Sequence, residues 1–311
     1  MGAITLSPKN VDKQTGATEA ARDAGLDVLF DPATEKLADT GFGLETLPCW
    51  TGAPYDVERL VTDPDGRQPL VDRVAEVHPV KATIVTPPHF LIRDERSANL
   101  NIALAEATRL ATDKPVRPIV ILRNAVPDSV VENLAGEYVR AGFTQFDVRL
   151  SPLGGDNDSV RKIRRAFARL SVFTDAELQV TFGRAGNAGQ TAFALGLVSG
   201  YSVGIGQWET VDHAQTINRQ QRPPKFDDDG HRKGGVWQGV YLPGPAVTVS
   251  MRTATALLSH TDIHTRVGCR IDSCASSITG PLVDHRTHYL HARAHEMADL
   301  QSRPAAWRAT A

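Results

Sequence analysis

Four residues near the C-terminus have the types and spacing of a metal site. Cys269 and Cys274 lie in VGCRIDSCASS, and His288, His291 and His295 follow in DHRTHYLHARAHEMADL. Histidines three and four residues apart share one face of a helix. Two thiolates and two imidazoles complete a tetrahedral zinc set. Cys269, Cys274, His288 and His291 are therefore the expected ligands of a structural zinc. Free thiols beside a His-rich surface helix are the other reading, and C-x4-C is not among the commonest zinc spacings. With Cys49 the chain has three cysteines. That odd, small number argues against a disulfide framework and for a reducing, cytoplasmic setting.

A second set lies at the ends of short apolar runs. In QFDVRL (145–150) alternation turns Phe146, Val148 and Leu150 to one side and Gln145, Asp147 and Arg149 to the other. LDVLFD (26–31) ends on Asp31, on the face of Leu29. VRPIVILR (116–123) ends on Arg123, on the face of Ile119 and Ile121. Asp31 and Asp147 are candidate catalytic carboxylates, suited to nucleophilic or acid/base work. Arg123, Arg149, Arg184 and His89, which follows Pro87-Pro88, are candidate substrate contacts. Ion pairs that merely close the strand ends are the competing reading of Asp147 and Arg149. YSVGIGQ (201–207) places Ser202, Gly204 and Gly206 on one face, beside Gln207. Such small residues leave space for a flat ligand near the backbone, or for a bulky neighbouring side chain. GRAGN (183–187) opens a helix but is no phosphate-loop motif. RKIRRAFAR (161–169) is basic and reads first as a solvated face, second as a phosphate-backbone contact.

Elements that would position these residues alternate along the chain. Strands are expected at 3–7, 26–31, 82–86, 116–122, 145–150, 178–182 and 201–205, with helices at 14–24, 96–112, 128–141, 159–170 and 188–198. The stretch 32–72 reads as a long loop with short helices. Strand–helix alternation implies right-handed crossovers and a parallel sheet. An eighth strand at 240–242 or 247–250 would complete a (β/α)8 TIM-type barrel over residues 1–260. A polar loop or flap at 219–235 interrupts it, and a Cys/His helical subdomain over 261–311 follows. The doubly wound sheet is the alternative. In a barrel, the C-terminal strand ends carry the site.

The C-terminal region resembles the tRNA-guanine transglycosylase family, in which a barrel is followed by a zinc subdomain and a helix reading roughly R-A-Y-L-x-H. The corresponding string here is Thr287-His288-Tyr289-Leu290-His291. The resemblance covers about Cys269 to Leu300. It implies a structural zinc, a base-exchange pentosyltransferase activity and a nucleic-acid substrate, tRNA or DNA. The chain departs from the family at several points. Two cysteines stand where the family has three, Gly204-Ile205-Gly206 stands where the nucleophilic Asp is expected, with Glu209 a poor stand-in, and Asp31-Pro32-Ala33-Thr34 is not the family's Asp-Ser-Gly-Gly.

Three functional readings follow. One is a divergent transglycosylase-like barrel acting on a nucleobase. Another is a catalytically degenerate barrel that binds nucleic acid or a protein. The third is a barrel enzyme acting on a small metabolite. The net charge of −2 gives no global pull toward nucleic acid, so any such contact must be local. No secretory leader or membrane span is expected. A small nucleobase-like ligand fits the first reading.

Overall fold

The structure, a computed structural model, describes residues 2–154, 158–204, 209–226, 232–233, 239–275, 280–304 and 307. The candidates Gly206 and Gln207, and much of the expected flap, lie outside the described residues. No helix among those described is long and apolar enough to cross a membrane.

The fold is mixed α/β. Strands β1 (Ala3–Leu6) and β2 (Asp27–Phe30) pair in parallel. A five-stranded sheet has the order β3 (Leu91–Ile92), β4 (Ile119–Arg123), β5 (Gln145–Ser151), β7 (Gln179–Phe182) and β8 (Gly200–Tyr201). The β3–β4 and β4–β5 pairs are parallel. Short antiparallel pairs join β6 (Leu153–Gly154) to β9 (Thr210–Val211) and β10 (Lys225–Phe226) to β11 (Arg232–Lys233). The expected strand 82–86 makes only one isolated bridge, Val85 to Val116. Its backbone still joins both neighbours: Thr83 N–H donates to Val28 O, and Val85 N–H to Pro115 O, each at 2.9 Å. Pro87-Pro88 on one side and Pro118 on the other remove amide donors, so the ladder there is brief and β4 begins at Ile119.

One expectation is corrected. Neither 240–242 nor 247–250 is an eighth parallel strand. β12 (Gly239–Leu242) and β13 (Val247–Ser250) pair antiparallel in a sheet of their own. The intervening Pro243-Gly244-Pro245-Ala246 is a tight turn, with Ala246 at φ 54°, and it folds the two runs back on each other. Pairing that would close the parallel strands into a barrel is not among the described residues.

The helices start and stop where their caps dictate. Asp94 and Ser97 form a reciprocal capping box at the start of Glu95–Leu110. Asp128–Arg140 begins behind Pro127, and Gly142, at φ 76°, lets the chain turn away. The outer face of β5 packs on these helices: Phe146 lies 4.7 Å from the Tyr138 ring and contacts Phe173 of Val160–Asp175. That contact leaves Asp147 and Arg149 on the opposite face, as alternation predicts.

The chain divides into two compact units. The first comprises Met1–Pro152, Arg165–Thr181 and Asp212–Pro224, and the second Leu153–Arg164, Phe182–Val211 and Lys225–Ala311.

Candidate functional site

The second unit holds the cysteine–histidine set. The helix His285–Ser302 starts where the Asp284 side chain accepts the Thr287 N–H. Its first turns carry His288 and His291 on one face. Cys269 and Cys274 approach that face from 261–275. The four ligand atoms lie within 4.8 Å of one another. Cys269 Sγ is 3.2 Å from His291 Nε2, and Cys274 Sγ is 3.4 Å from His288 Nδ1. Zinc–sulfur and zinc–nitrogen bonds at a tetrahedral angle set a sulfur–nitrogen edge of about 3.6 Å, so the four atoms fit one metal ion. The His288 tautomer is fixed by its other nitrogen. Nε2–H donates to the Tyr241 carbonyl at 2.6 Å, which leaves the Nδ1 lone pair facing Cys274. Burial lowers the pKa of both imidazoles. Burial and then the Cys269 sulfur push the Cys274 thiol up to about 12. The set is thus compatible with a metal site. His295, three residues from Ala292 and on the same expected stripe, is exposed and outside it.

Behind Tyr241 lies a buried polar core. The Arg293 guanidinium contacts Glu209 Oε1 at 2.6 Å, Glu296 Oε2 at 3.2 Å and Gln190 Oε1 at 3.1 Å. It also stacks 4.3 Å over the Tyr241 ring. Tyr289 donates its hydroxyl to Glu209. Glu209, the poor stand-in for a nucleophile, is therefore committed to Arg293 and Tyr289. Tyr289 and Arg293 bind the helix His285–Ser302 to its own unit.

The first unit brings the two candidate carboxylates together. Asp31 directly follows β2, and Asp147 and Arg149 lie on the face of β5 opposite Phe146. Arg149 Nη1 reaches Asp31 Oδ2 at 2.8 Å, and Nη2 reaches Asp147 Oδ2 at 3.3 Å. Burial opposes the Arg149 charge, but Asp147, Asp31 and Glu35 outweigh it and raise its pKa. The backbone turns sharply after Asp31: the Ala33 N–H donates to Asp31 Oδ1 at 2.9 Å, with Ala33 at φ 51°. That left-handed residue starts the short helix Thr34–Ala38, which carries Glu35 inward. Thr34 Oγ1 donates to the His89 carbonyl and accepts the His89 N–H, both at 2.7 Å. His89 Nε2 comes to 3.3 Å from Glu35 Oε2 and 3.7 Å from Asp31 Oδ1. Burial would raise the Glu35 pKa, but the His89 imidazole wins and holds it down to about 2.

Asp31, Asp147, Arg149 and His89 thus converge, whereas Arg123 is exposed at the end of β4. Arg184, at φ 52°, and Gly204 belong to the second unit. The Arg184 amide donates to Ser202 Oγ at 2.9 Å. Sequence reasoning missed Glu35, because the irregular stretch after Asp31 has no period to orient its side chains. It also placed Arg169 on a solvated face. Arg169 is 3% exposed and donates to the carbonyls of Arg123 and Val126 and to Asp128, while Arg161, Arg164 and Arg165 are exposed.

Comparison with known protein families and with curated proteins finds no match to this chain.

Proposed function

We propose that this protein is a divergent transglycosylase-like enzyme on a (β/α)8-type barrel, exchanging a nucleobase in tRNA or DNA. One observation carries the reading: Asp31, just after β2, and Asp147, within β5, meet at one guanidinium. Base exchange needs a carboxylate to attack the sugar carbon while the bond to the base breaks. The departing base takes a proton, and an incoming base then displaces the carboxylate and gives up its own proton. One of Asp31 and Asp147 attacks and the other manages the proton. Arg149 orients both. A zinc held by Cys269, Cys274, His288 and His291 contributes structure and takes no part in the exchange. The test is incorporation of labelled guanine or a deazaguanine into tRNA and into DNA by zinc-replete protein. Incorporation that disappears in both Asp31→Asn and Asp147→Asn supports the reading. No incorporation into either polymer overturns it.

A second reading is a catalytically degenerate barrel that binds nucleic acid. It is favoured by the burial of both acids against Arg149 and by the exposed Arg161, Arg164 and Arg165 on Val160–Asp175. Arg164→Glu with Arg165→Glu then abolishes tRNA or DNA binding in a gel-shift assay. Unchanged affinity removes this reading.

A further inference from the structure

Asp31, Glu35 and His89 offer three ligand atoms within 4.8 Å of one another. All three residues are buried, at 2%, 4% and 2% exposure. Two of the atoms, Glu35 Oε2 and His89 Nε2, have no hydrogen-bond partner among the described residues. They are 3.3 Å apart, within ion-pair reach of each other but not hydrogen-bonded. A buried polar atom left in this way is costly, and here two face the same point.

The ring that supplies Nε2 is oriented from behind. His89 Nδ1 is 3.1 Å from the Pro87 carbonyl, an acceptor only, so Nδ1 carries a proton and Nε2 is the nitrogen left to a cation once its own proton is displaced. That is the usual support of a metal-bound histidine. The double hydrogen bond between Thr34 and His89 ties the two ligand-bearing turns together. Charge points the same way. Asp31, Glu35 and Asp147 share the cluster with one guanidinium, Arg149. A divalent cation would add positive charge where three buried carboxylates meet beside Arg149, and the Lys36 charge acts on Glu35 as well. Lys36 is half-buried nearby and makes no ion pair with Glu35 among the described residues.

We infer that Asp31, Glu35 and His89 form a second metal site, for a divalent first-row cation that accepts two carboxylates and one imidazole. The donor set has no thiolate, which separates it from the cysteine–histidine set and favours Mn²⁺ or Fe²⁺. The inference does not rest on the transglycosylase reading.

The probe is Mn²⁺ alone, added to the full-length zinc-loaded protein and followed by electron paramagnetic resonance. The expected result is one bound Mn²⁺ per chain, with affinity at least tenfold weaker in Glu35→Gln and unchanged in Cys274→Ser. Location is read without any variant by loading Fe²⁺ and generating hydroxyl radicals with ascorbate and peroxide. Backbone cleavage should fall near 31–35 and near 89. Absence of Mn²⁺ binding, equal affinity in Glu35→Gln, or cleavage confined to 269–291 each overturns the assignment.

Discussion

Arg149 and Asp31, 118 residues apart in sequence, meet in a 2.8 Å ion pair with both side chains buried. The same guanidinium holds Asp147, so one cation joins the residue after β2 to β5. Removing it leaves two carboxylates without their partner. Arg149→Met should therefore cost about 3–5 kcal/mol, measured by urea unfolding. Adding Asp31→Asn and Asp147→Asn should return part of that loss, because the uncompensated charges are gone. A loss below about 1 kcal/mol in the single variant would show that the cluster is hydrated and electrostatically unimportant.

Zinc content is the direct check on the C-terminal set. Elemental emission on purified protein should find zinc bound to the parent and missing from both Cys274→Ser and His291→Ala. Because bound metal stabilises only the folded form, the variants should melt at lower temperature by about 4–8 °C for each 2 kcal/mol lost. Parent protein that carries no zinc after refolding with excess metal would sink this assignment.

His78 gives the first unit a pH dependence whose sign can be worked out. Its Nδ1–H donates to the Val74 carbonyl at 2.7 Å, and its Nε2 accepts the Thr86 N–H at 3.1 Å. This is the neutral ring. Burial lowers its pKa from 6.5, the Val74 hydrogen bond partly opposes this, and Lys114 adds to it. Below pH 6.5 the unfolded chain takes up the proton first, so stability is full above that value and falls as pH drops toward the folded pKa. His213 is lowered likewise, chiefly by burial. Melting temperature should fall from pH 7 to pH 5, and His78→Gln should flatten the slope. An identical slope in that variant would contradict the argument.

Arg293 should not tolerate lysine. Its planar fork serves Glu209, Glu296 and Gln190 while its face lies on Tyr241. An ammonium matches one of those directions and stacks poorly. Arg293→Lys should lose about 2 kcal/mol and alter the near-ultraviolet circular dichroism of Tyr241 and Tyr289. A variant with the parent's spectrum and stability would refute the role assigned to this core.

Much of the first unit is legible from local pattern. The run QFDVRL alternates, so the sides taken by Phe146 and by Asp147 and Arg149 follow from strand geometry alone. Pro127 marks a helix start because its backbone chemistry is local, whereas the capping box of Asp94 and Ser97 came from the structure. Other features fail for reasons equally local to the structure. The strand at 82–86 is cut short because prolines on both sides remove donors. The run at 247–250 has strand residues, but nothing in its own sequence says whether its partner is a parallel neighbour or β12, and the turn at Ala246 decides. Arg169 belongs to a run that reads as a solvated face, yet carbonyls after β4 draw it into the interior.

The sequence by itself determined the residue types of both clusters. Cys269, Cys274, His288 and His291 could be proposed as ligands because helical spacing puts the imidazoles on one face, and the structure then sets His295 outside the group. Only the tertiary structure decided that Asp31 and Asp147 share Arg149, and that Glu35 Oε2 and His89 Nε2 meet at 3.3 Å without a hydrogen bond among the described residues. Those residues come from the turn after β2, the short helix Thr34–Ala38, the segment after Pro88 and β5. Side-chain convergence across such distances depends on how strands register and where turns aim, and no period within any one segment encodes it.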